Sequence, residues 1–74
     1  MIRLKIQEIA QQKGIGQNKL ARLADVDYQT VRKIYRDPYQ IINTETLNKL
    51  AEALHVDASL LIESDPPLPK TLEN

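Results

Sequence analysis

The chain has 74 residues, with ten basic and ten acidic side chains, one histidine and no cysteine. That length admits one compact domain with a small core, and the absent cysteines exclude disulfides and thiolate metal sites. A zinc centre on His55 would need three carboxylate or foreign ligands, so neither metal nor cofactor is expected, and the longest apolar run, Leu60, Leu61 and Ile62, is too short for a bilayer, so no membrane is expected either and the cytoplasm is the expected location.

From the N-terminus, Ile2, Ile6 and Ile9 recur at helical spacing through a stretch rich in Gln, Lys and Glu. Gly14 follows as a left-handed closing residue, so the spacing predicts helix one over about 3–13. Gly16 permits a second start, and Leu20, Ala21 and Ala24 make the apolar face of a short helix over Gln17–Ala24. Asp25, Val26 and Asp27 interrupt the pattern. Asp27 is placed to cap a third helix, about 28–36, whose inner residues are Val31 and Ile34. Pro38 disfavours helical geometry at Asp37 and opens a loop over 37–43.

Asn43 reads as the next N-cap, with Glu45 in the first turn and Ile42 and Leu47 at the spacing of a hydrophobic staple. Leu47, Leu50, Ala51 and Leu54 form the inner stripe of helix four, His55 closes it where Gly is commonest, and Asp57 caps a last short helix over 58–62. The expected architecture is all-α, five helices in one domain over residues 1–63, and no spacing suggests a strand. Residues 64–74 contain three prolines without periodicity and are expected to form an extended or mobile tail.

The net charge of zero is a weak nucleic-acid signature, but its distribution is lopsided. Residues 1–36 carry eight basic against three acidic side chains, +5, and residues 37–74 carry two against seven, −5. Such a split orients a molecule in the field of a phosphate backbone, basic half inward. Ordinary surface charge that happens to segregate would look the same.

The segment 17–34 reads as two short helices joined by a three-residue turn, in which small Ala21 allows a close crossing and Val26, Val31 and Ile34 lock it. The outer face of the second helix then holds Tyr28, Gln29, Arg32, Lys33 and Arg36, whose amide and cationic groups suit base edges and phosphates. Here the chain resembles the Cro/repressor-type (XRE-like) helix-turn-helix family, in particular its small stand-alone bacterial or phage-type regulators, over about residues 2–63. The resemblance is carried by Gln17, Leu20-Ala21, Val26 and Thr30-Val31, and by Leu47-Asn48-Lys49-Leu50-Ala51-Glu52-Ala53-Leu54-His55-Val56 near the end. Two positions depart from the family, Asp25 and His55, where Gly is favoured; Asp and His are both enriched in left-handed geometry.

The resemblance implies a lambda-repressor-like fold and a regulator, most naturally a repressor, that reads the major groove of double-stranded operator DNA as a weak homodimer or as a dimer formed on DNA. It implies that Gln17 meets a phosphate with Asn18 nearby, that Tyr28, Gln29 and Lys33 read bases, and that Thr30, Arg32 and Arg36 position the DNA backbone. Arg32 and Arg36 have an alternative use in surface ion pairs. Tyr35 reads as a packing residue, and Tyr39 as stacked on Pro38 or resting on the DNA backbone. A second function of another class stays open: a protein-interaction module of the same fold, such as an antitoxin or anti-regulator, using the acidic half, the apolar run at 60–62 and the tail. An enzyme is not expected, since His55 has no carboxylate or nucleophile placed to work with it.

Overall fold

A computed structural model describes residues 1–67 and contains four α-helices, a 3-10 turn and a two-stranded sheet. In chain order these are β1 (Ile2–Leu4), α1 (Ile6–Gln12), α2 (Gln17–Ala24), α3 (Tyr28–Arg36), α4 (Thr44–Leu54), the 3-10 turn (Ala58–Leu61) and β2 (Ile62–Ser64). Most of the expected tail, from residue 68 onward, lies outside the described residues.

Two expectations are corrected. Helix one does not begin at residue 3, because residues 2–4 form a strand antiparallel to β2, with Ile2 opposite Ser64, Arg3 opposite Glu63 and Leu4 opposite Ile62. The backbone donors just ahead of α1 are spent across the fold: Leu4 N–H bonds to Pro38 O at 2.7 Å and Lys5 N–H to Leu61 O at 2.8 Å. Arg3 extends the link with its guanidinium, which donates to the carboxylates of Glu8 and Glu63 and is thereby held above its ordinary pKa, chiefly by Glu8. The fifth helix is likewise a single 3-10 turn, since Ile62 leaves it to enter β2, so the chain has four α-helices and a small sheet instead of five helices.

The caps fall where the residue types place them. Asp27 accepts from Gln29 N–H at 3.0 Å, Asn43 from Thr46 N–H at 2.7 Å and Asp57 from Ser59 N–H at 3.0 Å. Bonds from the Ser59 hydroxyl and N–H hold the Asp57 carboxyl below its usual range. Helix ends obey a repeated rule as well. Gly14, Asp25 and His55 all adopt the left-handed conformation, with φ of 68°, 57° and 57°. The next residue, Ile15, Val26 or Val56, donates its N–H to the carbonyl of Ala10, Ala21 or Ala51, closing each helix in the Schellman manner.

The core gathers Leu4, Ile6, Ala10, Leu20, Ala21, Ala24, Val31, Ile34, Leu50, Ala51, Leu54 and Leu61, all at 6% exposure or less. The alanines that accept the closing bonds are therefore core residues too, and their small side chains let the following aliphatic fold back on the helix. Helix α3 packs against α2 and α1 through the side that carries Val31 and Ile34 and keeps its other side in solvent.

Candidate nucleic-acid interface

Helix α3 follows α2 after the turn Asp25, Val26 and Asp27. Val26 is half-buried against the core, and Val31 and Ile34 are buried, which fixes both the crossing and the rotation of α3 about its own axis. With that rotation set, Tyr28, Gln29, Arg32, Lys33 and Arg36 are exposed and Thr30 is half-buried. The Asp27 carboxylate, a negative charge beside this face, accepts from the Gln29 N–H at the helix start, where the helix dipole partly offsets it.

Among the described residues the ion pairs fall on Arg3, and neither Arg32 nor Arg36 meets a carboxylate. Arg32 instead extends over the Tyr28 ring, its guanidinium carbon 6.0 Å from the ring centroid, at the outer reach of a cation–π contact. The two side chains are one helical turn apart on the exposed outer face.

Gln17 is the first residue of α2 and is half-buried; Asn18 beside it is exposed. The preceding residue is Gly16, so no side chain caps this helix and the N–H groups of its first turn are left without a capping oxygen. Asn18 also lines a shallow concavity between α2 and the start of α3, with Ala21, Arg22, Asp25, Val26 and Tyr28. Arg22 was not among the residues singled out from the sequence. Its spacing of four from Asn18, which puts both on one face of α2, was the available signal.

The other tyrosines are placed away from this face. Tyr35 packs against the core, and burial raises its phenol pKa. Its hydroxyl is buried without a hydrogen-bond partner among the described residues. The Tyr39 hydroxyl donates to the Asp65 carboxylate, which tethers the loop after α3 to the end of β2 and raises the Tyr39 pKa. His55 serves as the left-handed closing residue of α4 and is exposed.

Two short helices crossing through a three-residue turn, the second exposing amide and cationic groups, define a helix-turn-helix DNA-binding domain. Residues 5–66 match the Cro/C1-type HTH DNA-binding domain family, and the chain belongs to that family. No curated protein matches it in sequence. No helix among the described residues is long and apolar enough to cross a membrane.

Proposed function

We propose that the chain is a sequence-specific transcriptional regulator, acting as a repressor by occupying an operator in the cytoplasm. The reading is supported above all by the outer face of α3, where Tyr28, Gln29, Arg32, Lys33 and Arg36 stand exposed without a carboxylate partner among the described residues. Gln29 serves as the adenine reader and Lys33 as the guanine reader, while Tyr28 offers its ring to a thymine methyl or its hydroxyl to a phosphate. Gln17 and the uncapped start of α2 take a phosphate, with Asn18 beside them. Thr30, Arg32 and Arg36 set register along the backbone and carry no base information themselves.

Proteins docked in this way bind in pairs to half-sites about 34 Å apart, so the operator is a pseudo-palindrome and two copies occupy it. The decisive experiment is selection of bound sequences from random duplex DNA, repeated with Gln29→Ala. The wild-type chain should enrich a two-fold symmetric site, and the variant should lose about 1–3 kcal/mol of discrimination at one base pair per half-site while other positions hold. Enrichment of no sequence would remove the operator reading.

A further inference from the structure

The shallow concavity between α2 and the start of α3, about 740 Å3 in volume, combines apolar, amide and charged groups. Ala21 and Val26 give it an apolar floor, the Tyr28 ring lines it from α3, and its polar groups are Asn18, Arg22 and Asp25. Arg22 is exposed, and among the described residues its guanidinium meets no carboxylate, although Asp25 follows three positions later at the end of the same helix. Side-chain bonds in an α-helix tilt toward its N-terminus, which carries Arg22 over Asn18, one turn earlier, and away from Asp25. The concavity is thereby divided: an amide and a free cation at one end, a carboxylate at the other. Asn18 and Asp25 lie about 10 Å apart along the helix axis, about one screening length at 0.1 M salt.

We infer that the Asn18 end of this concavity seats one sugar–phosphate unit of the DNA backbone, with Arg22 as a further phosphate contact. The groups match the outer face of a nucleotide. The guanidinium and the amide donate to phosphate oxygens, and Ala21 and Val26 offer the deoxyribose an apolar floor. Its place along the duplex follows from the fold. Tyr28 is the first residue of α3, so the concavity lies at the N-terminal end of that helix, away from Lys33 and Arg36. The seated phosphate therefore flanks the base pairs that face α3, next to the one nearest Tyr28.

One cation in an open concavity holds a free anion poorly, whereas a backbone already docked on α3 reaches it at high effective concentration. The inference rests on the DNA-binding reading of α3 but not on sequence specificity, because a phosphate contact is made alike on every duplex.

Fluorescence titration of the full chain on an unrelated duplex, between about 50 and 200 mM salt, is the first test. Arg22→Ala should flatten the slope of log K against log salt by about 0.9, so that its deficit against wild-type grows about 3.5-fold from the highest salt to the lowest. Arg22→Lys keeps the charge and should keep the wild-type slope, and so should Lys49→Ala, which removes a cation from α4. A cation in the last turn of α2 also suits the helix dipole, so melting temperatures are compared and the titrations run where every variant is folded. The second test places the contact. On the duplex that selection returns, a neutral methylphosphonate is moved along the backbone one position at a time. Wild-type should lose affinity at one position per half-site, beside the base pair nearest Tyr28, to which Arg22→Ala is indifferent.

A wild-type slope in Arg22→Ala overturns the inference, as does a slope in Arg22→Lys or Lys49→Ala as flat as that of Arg22→Ala. An identical methylphosphonate pattern in wild-type and Arg22→Ala overturns it too. Selection that enriches no sequence strikes the operator reading alone, since the slope on an unrelated duplex still decides the role of Arg22. A chain that binds no duplex removes both.

Discussion

Gly14, Asp25 and His55 occupy the same structural position in three different helices, and only the first is glycine. A left-handed backbone costs an L-residue about 1–2 kcal/mol, less when a short polar side chain can bond locally, and glycine nothing. The chain therefore carries stored strain at two helix ends. His55 is the cleaner of the two to relieve, because Asp25 is a charge beside the candidate DNA surface. His55→Gly is expected to stabilise the domain by about 1 kcal/mol, which for a chain of this size raises the melting temperature by about 4–8 °C. Gly14→Ala should move it the other way by a similar amount: open space surrounds the added methyl, so only the backbone objects. Thermal unfolding followed by circular dichroism measures both, and a His55→Gly variant no more stable than wild-type would show that His55 is not strained. These positions were legible in the sequence because the cue is local. An alanine, three residues, a turn-tolerant residue and an aliphatic repeat at 10–15, 21–26 and 51–56, and each ends a helix.

At the scale of elements, the same locality explains what could not be read. Helices α2, α3 and α4 announce themselves through apolar stripes within a dozen residues, α3 and α4 through side-chain caps as well, and the structure places them over the expected spans. The pairing of β1 with β2 joins residues about sixty positions apart through three-residue strands, too short for alternation to register. Helical spacing of Ile2 with Ile6 and Ile9 offered a competing pattern, and tertiary pairing won. The two readings make opposite statements about neighbouring side chains. A helix with Ile2 on its inner stripe leaves Leu4 outside, whereas the strand buries Leu4 to 4% exposure and leaves Ile2 at 52%. Leu4→Ala should therefore cost about 2–5 kcal/mol, as a truncation inside a packed core does. Ile2→Ala should stay within about 1 kcal/mol at concentrations where the chain is monomeric. Urea denaturation of the pair decides it, and the reverse ranking would restore the helix. The candidate interface was legible to a similar depth. Its exposed face follows from Val31 and Ile34 being inside, yet Arg22 escaped notice because a concavity between two helices exists only once they are crossed.

For the molecule as a whole, the governing quantity is the separation of charge, since the net charge is zero. Exposed Lys19, Arg22, Arg32, Lys33 and Arg36 lie on α2 and α3, while Glu45 and Glu52 lie on α4. Folding thus converts an asymmetry along the chain into one between helices. A phosphate backbone held by α2 and α3 displaces condensed counterions, and each contact contributes about −0.9 to the slope of log K against log salt. The acids of α4 contribute differently. At 0.1 M ionic strength a charge is felt over about 10 Å, so an acid off the interface shifts affinity weakly and displaces no counterion. Arg32→Ala should consequently flatten the salt slope by about one, alike on specific and unrelated duplexes, while Glu52→Gln should leave the slope unchanged. Fluorescence titration between about 50 and 200 mM salt reads both, a range over which several phosphate contacts change affinity by orders of magnitude. An unaltered slope in Arg32→Ala would mean that Arg32 is spent on the Tyr28 ring beneath it and not on the backbone, and the phosphate contacts would then fall to Lys33, Arg36 and the start of α2.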